Sequence, residues 1–183
     1  MPIYNVIDIS SYIINYSNQI NHPINNLKLQ KLLYYVQAAM LIEVGRKCFD
    51  SKIIAWKFGP AIPKAYRYYE EYGRNDIPNQ EGHKAIKLDD KTLKMIYSQP
   101  VEIDCTTKMI IRNVVDSYLD ITSPLELSRK TCREEPWKST SLNQEIMCSG
   151  ISKYYKKQPR LIYECYWQPT NQQLPLLVLE RYI

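Results

Sequence analysis

The chain has 183 residues, enough for one well-buried core and short for two, with 45% apolar and 23% charged residues. That balance excludes wholesale disorder, and no run approaches the ~18 apolar residues of a membrane-spanning helix. The opening MPIYNVIDISSYIINYS lacks a basic leader, an apolar block and a small-residue cleavage site, so a cytoplasmic protein is expected.

Val6, Ile9, Ile13 and Tyr16 recur at helical spacing and predict an amphipathic helix over residues 5–17, closed by His22 and Pro23. Asn25 or Asn26 then caps the strongest helix of the sequence, which ends at Gly45. Leu29, Leu32, Leu33, Val36, Met40 and Val44 form one broad stripe on it. Leu27, Tyr34, Ala38 and Leu41 lie on other sides, so this helix is expected to be central and covered on more than one flank. Residues 53–58 read as a strand stopped by a Gly59-Pro60 turn, and Pro63 opens a helix running to about Tyr72, with Gly73 as its stop. Residues 74–104 form a polar excursion with room for a short helix after Asp89 and Asp90. Asp104 can cap a helix carrying Ile110, Ile111, Val114, Val115 and Tyr118. Ser123 and Glu126, three apart around Pro124, have the pattern of a reciprocal cap for the next helix, and another is expected over 144–156.

Beyond Pro159, residues 161–167 and 174–183 are strand candidates. The second is too apolar to stay free in water, so it is expected either to pair with the first or to add a strand to a partner's edge. The expected fold class is mainly α with a small β component (α+β). It comprises a helical domain over 1–157, a short strand near 52–58 and an extension, 158–183, folded as a candidate hairpin on the same domain.

Five cysteines at wide spacing, with two histidines, offer no frame for zinc, and no phosphate-binding or nucleophile motif occurs. The neighbours Glu134 and Glu135 point about 100° apart on a helix and do not make an acid–base pair. No catalytic residue, metal or cofactor is expected, and a binding protein is favoured over an enzyme. Residues 129–160 carry eight cations (Arg129, Lys130, Arg133, Lys138, Lys153, Lys156, Lys157 and Arg160) against Glu134, Glu135 and Glu145, a net of +5. That window could face an acidic partner or a phosphate backbone, or be a solvated helix face.

Tyrosine is abundant, sixteen against two phenylalanines, which suits both helix seams and a docking surface. Lys28, Lys31 and Tyr35 lie off the central stripe at i, i+3, i+7. They predict an accessible ledge that, with Lys64 and Arg67, contacts a partner. Trp56 and Trp137, each beside a proline-containing turn, are expected to be structural anchors.

Four phrases occur in order: Leu27-Lys28-Leu29-Gln30-Lys31-Leu32-Leu33-Tyr34-Tyr35-Val36-Gln37; Ile54-Ala55-Trp56-Lys57-Phe58-Gly59-Pro60; Ile62-Pro63-Lys64-Ala65-Tyr66 with Tyr72-Gly73; and Leu127 to Thr131 followed by Pro136-Trp137. Together they resemble the Panacea domain of SocA-like antitoxins and phage-associated GepA-like proteins, over about residues 5–156. Thr131-Cys132 stands where that family usually has Thr-His. The resemblance implies a cytoplasmic antitoxin whose partner is a cognate protein toxin, neutralised by direct binding or delivered to an ATP-dependent protease. The competing reading is a nucleic-acid-binding regulator that uses the 129–160 window. No membrane partner is expected.

Overall fold

The computed structural model describes residues 3–80, 85–88, 95–98 and 102–166. Helix α1 (Val6–Gln19) starts where the Asn5 side chain accepts the Ile7 N–H, satisfying one of the free amides of the first turn. Helix α2 (Asn26–Glu43) starts in the same way, the Asn25 side chain accepting from the Lys28 N–H at 3.0 Å. Every residue of α2 from Lys28 to Met40 is buried, as a helix apolar on several sides requires.

Strand β1 (Ile54–Trp56) turns at Lys57 and Phe58 and returns antiparallel as β2 (Gly59–Ala61), with Trp56 opposite Gly59. Gly59 and Pro60 are therefore the returning strand and do not stop the first one, which corrects the expected turn. Gly59 takes φ +93°, a backbone region that favours glycine, and the Lys31 Nζ of α2 donates to the Pro60 carbonyl at 2.8 Å. The return is thus held by a helix side chain as well as by its partner strand. Residues 143–146 lie along the other edge of β1: Asn143 N donates to Ala55 O at 2.8 Å and Ile146 N to Ile53 O at 2.8 Å.

Helix α3 (Pro63–Tyr68) carries proline at its first position and runs into a single 3₁₀ turn, Glu70–Tyr72, ended by Gly73 at φ +56°. In the polar excursion β3 (Ala85–Leu88) pairs antiparallel with β4 (Met95–Ser98), Ile86 opposite Tyr97. Met95–Ser98 is therefore strand, and the rest of the helix expected after Asp89 and Asp90 lies outside the described residues.

Helix α4 (Cys105–Asp116) is capped by Asp104, which accepts from the Thr107 N–H at 2.9 Å and from the Tyr4 hydroxyl at 2.6 Å. Helix α5 (Pro124–Arg133) begins at Ser123 through Pro124, without the reciprocal side-chain cap that Ser123 and Glu126 suggested. The one-turn helix α6 (Glu135–Lys138) follows, and α7 (Cys148–Lys157) starts later than expected because residues 143–146 are held by β1.

Helices α1, α3, α4, α5 and α7 all pack on α2, and the described residues form one mainly helical core with two small antiparallel ladders. Pro159–Tyr166 forms 3₁₀ turns kinked at Tyr163, not the strand expected over 161–167. Its carbonyls are taken by side chains: Tyr118 Oη donates to Ile162 O at 2.7 Å and Lys130 Nζ to Leu161 O at 3.0 Å. The second strand candidate, residues 174–183, lies outside the described residues. Among the described residues no helix is long and apolar enough to cross a membrane.

Candidate functional site

The polar side chains of α2 secure backbone groups of β2 and of the surrounding loops. Lys28 Nζ donates to Ile121 O at 2.8 Å, Gln30 Oε1 accepts from Ile62 N at 2.8 Å, and Lys31 Nζ holds Pro60 O. Gln37 Oε1 accepts from Cys48 N and Phe49 N at 2.9 and 3.2 Å, and its amide nitrogen donates to Phe49 O at 3.1 Å. Buried loop amides and carbonyls need such partners, and α2 supplies them from inside the core. Lys31 is 1% exposed, and burial lowers its ammonium to about 7, partly offset by the Cys132 thiol.

Glu134, at the end of α5, is the centre of a second buried network and is 5% exposed. Its carboxylate accepts from Tyr35 Oη at 2.8 Å, Tyr155 Oη at 2.6 Å and Lys130 Nζ at 3.0 Å. The Tyr35 and Tyr118 rings stack at 4.7 Å, with the Lys130 ammonium 4.8 Å from the centre of Tyr35. Burial raises the Glu134 carboxyl above its ordinary value, while Lys130 and the two hydroxyls pull it back. The Tyr34, Tyr35 and Tyr155 hydroxyls are all pushed well above theirs by burial. This network ties α2, α5 and α7 together, so the inner face of α5 is fixed.

The outer face of α5 is different. Arg129 and Arg133 are exposed and make no ion pair among the described residues. They border two hollows. One, of about 710 Å³, lies between α5 and the Tyr154 and Leu161 side, with Glu126, Lys130 and Glu134 also in its wall. The other, of about 520 Å³, lies between α5 and the β1–β2 turn. Phe58 and Leu125, 55% and 49% exposed, face this second groove. Ser128 Oγ donates to Phe58 O at 2.6 Å, which pins the turn to the helix. A Cβ on Gly59 would stand 2.5 Å from Thr131 Oγ1, so turn and helix are also in close steric register.

The family described as "Antitoxin SocA-like, Panacea domain" matches residues 29–138. The chain belongs to this family. Antitoxin SocA of Caulobacter vibrioides (strain NA1000 / CB15N) is 41% identical over 83 residues, which cover 45% of this chain and 42% of that protein. The chain therefore matches less than half the length of this curated relative. No solved structure matches.

The Panacea phrases coincide with the internal connections of the fold. Gln30 and Lys31 reach from α2 to the backbone around β2, Tyr34 meets Tyr155 Oη at 3.4 Å, and Leu27 is half-buried at the helix start. Trp137 Nε1 donates to Trp56 O at 3.0 Å, and the Trp56 ring meets Tyr66 edge-on at 5.1 Å. Pro136 is buried in α6, two residues after Glu134.

The expected ledge is corrected in its essential feature. Lys28, Lys31 and Tyr35 are 7%, 1% and 0% exposed: each turns inward to an acceptor on another element, Ile121 O, Pro60 O and Glu134 Oε1. Lys64 and Arg67 are exposed on α3 and are not brought together with those three. The basic window already held Arg129 and Arg133, but sequence reasoning missed Phe58 and Leu125 beside them, and Glu134 as a hub. The i, i+4 spacing of Lys130 and Glu134 was the available signal for the hub.

Proposed function

We propose that this Panacea protein is an antitoxin that neutralises a cognate protein toxin by direct binding, using the outward face of α5 and its flanking grooves. The observation that carries the reading is the contrast across α5: an inner face fixed by Glu134 and Lys130, and an outer face bearing Arg129 and Arg133 beside exposed Phe58 and Leu125. Rigid support behind an exposed arginine and aromatic surface suits protein association. This function is cytoplasmic association, with no chemistry asked of the protein. Family membership favours it over a nucleic-acid regulator. The basic window also divides, since Lys130 is committed to the buried Glu134.

Co-expression with the product of the neighbouring open reading frame tests the proposal. The expected result is a co-purifying complex and relief of growth arrest; no complex and no relief would refute it. Delivery of the toxin to an ATP-dependent protease is the second reading, with Lys64 and Arg67, exposed on α3, as candidate contacts. In that case the toxin's half-life falls when this protein is present and returns when the protease is removed. Simple blocking leaves the half-life unshortened.

A further inference from the structure

We infer that the groove between the β1–β2 turn and α5 takes an acidic segment of a partner protein in which carboxylates flank large apolar side chains. The inference rests on the binding-protein reading and names the chemistry of what is bound. Lys57, Arg129 and Arg133 line this groove with Phe58, Leu125 and Cys132, and among the described residues no carboxylate lines it. The three cations form no ion pair among the described residues, so their charge is not neutralised by a described neighbour. A carboxylate-bearing segment supplies the missing counter-charge and covers Phe58 and Leu125, which water otherwise wets.

The groove is also ready-formed. Ser128 holds the Phe58 carbonyl, Thr131 stands against Gly59, and Lys31 fixes Pro60 from below, so little is lost in ordering the walls on binding. Its volume, about 520 Å³, suits a few side chains of a peptide. The neighbouring hollow is a poorer match, because Glu126 and Glu134 stand in its wall with the arginines. A phosphate backbone would meet the cations but leave the apolar floor without a partner, and therefore fits less well than an acidic–apolar peptide.

Fluorescence anisotropy with a short labelled peptide of alternating glutamate, leucine and phenylalanine tests this. Controls are the same peptide with lysine for glutamate and a single-stranded oligothymidylate of similar length. The acidic peptide should bind at least about tenfold tighter than the basic one and weaken as salt rises. R129E/R133E and F58A/L125A should each lose about tenfold or more while melting like wild type. Equal binding of the two peptides, preference for the oligothymidylate, or wild-type affinity in both variants would overturn the inference. The neighbouring-gene product separates the two levels. If it binds R129E/R133E and F58A/L125A as well as wild type, the groove assignment fails and the antitoxin reading stands. If it does not bind wild type at all, the antitoxin reading fails, and the peptide series still decides the groove.

Discussion

Helices α2 and α5 both carry lysine or arginine among apolar residues, yet they use them in opposite ways. In α2 the cations are inside: Lys28 ends on the loop carbonyl of Ile121 and Lys31 on the Pro60 carbonyl of β2, and the helix has no solvent face through the middle of its length. In α5 the charge is split across the helix. Lys130 turns inward to Glu134, whereas Arg129 and Arg133 turn outward beside the two grooves. The difference teaches that a cation in a family phrase is a latch or a contact according to which acceptors its helix faces. Residue type alone does not decide it.

The largest expected effect lies where α5 behaves like α2. Lys130→Met leaves the buried Glu134 carboxylate without its cation and should cost about 3–5 kcal/mol in urea denaturation. K130M/E134Q should recover part of that loss, since the uncompensated charge is then gone. Recovery of nothing would show that the tyrosine hydroxyls, not the ion pair, hold the helix.

Next comes Gly59→Ala, which adds a Cβ 2.5 Å from Thr131 Oγ1 at a position of φ +93° and should cost about 2–4 kcal/mol. Thr131→Ala in the same background should relieve the steric part. If G59A melts like wild type, turn and α5 are not in the register described. Trp137→Ala should cost about 2–3 kcal/mol, less than a fully buried tryptophan, because its ring is only partly covered. A midpoint unchanged from wild type would remove Trp137 as an anchor of β1.

A pH-dependent effect follows from the buried lysine. The Lys31 ammonium titrates at about 7 in the fold against 10.5 when unfolded, so between these values the unfolded chain binds more protons. Stability should therefore rise as pH climbs above 7, by up to ~1.4 kcal/mol per unit. The rise should reverse at higher pH. Burial pushes the Cys48 thiol up to about 12 and the Tyr34, Tyr35 and Tyr155 hydroxyls well above their ordinary value, and these groups release protons more readily once unfolded. Lys31→Met should abolish the rising limb; a variant that keeps it would assign the limb elsewhere.

Much of this architecture was legible in the sequence, for physical reasons that also mark where reading stopped. Asn25, Asp104 and Pro63 announced helix starts because capping is local, and α2's several apolar flanks announced a central helix. The ledge failed because Lys28, Lys31 and Tyr35 find acceptors 93, 29 and 99 residues away, and no local pattern records such partners. The strand expected over 161–167 failed for the same reason: Tyr118 and Lys130 take its carbonyls from distant helices. The groove escaped notice because Phe58 and Leu125 belong to separate elements that only the fold brings together.

The contrast between the two helices is tested most directly by equilibrium urea denaturation of Lys31→Glu beside R129E/R133E. Reversing the charge at the buried end of α2 should remove several kcal/mol or abolish folding, because a carboxylate would face the Pro60 carbonyl without a donor. Reversing both exposed arginines of α5 should leave stability within about 0.5 kcal/mol of wild type. Equal losses in the two variants, or a Lys31→Glu protein as stable as wild type, would contradict the account.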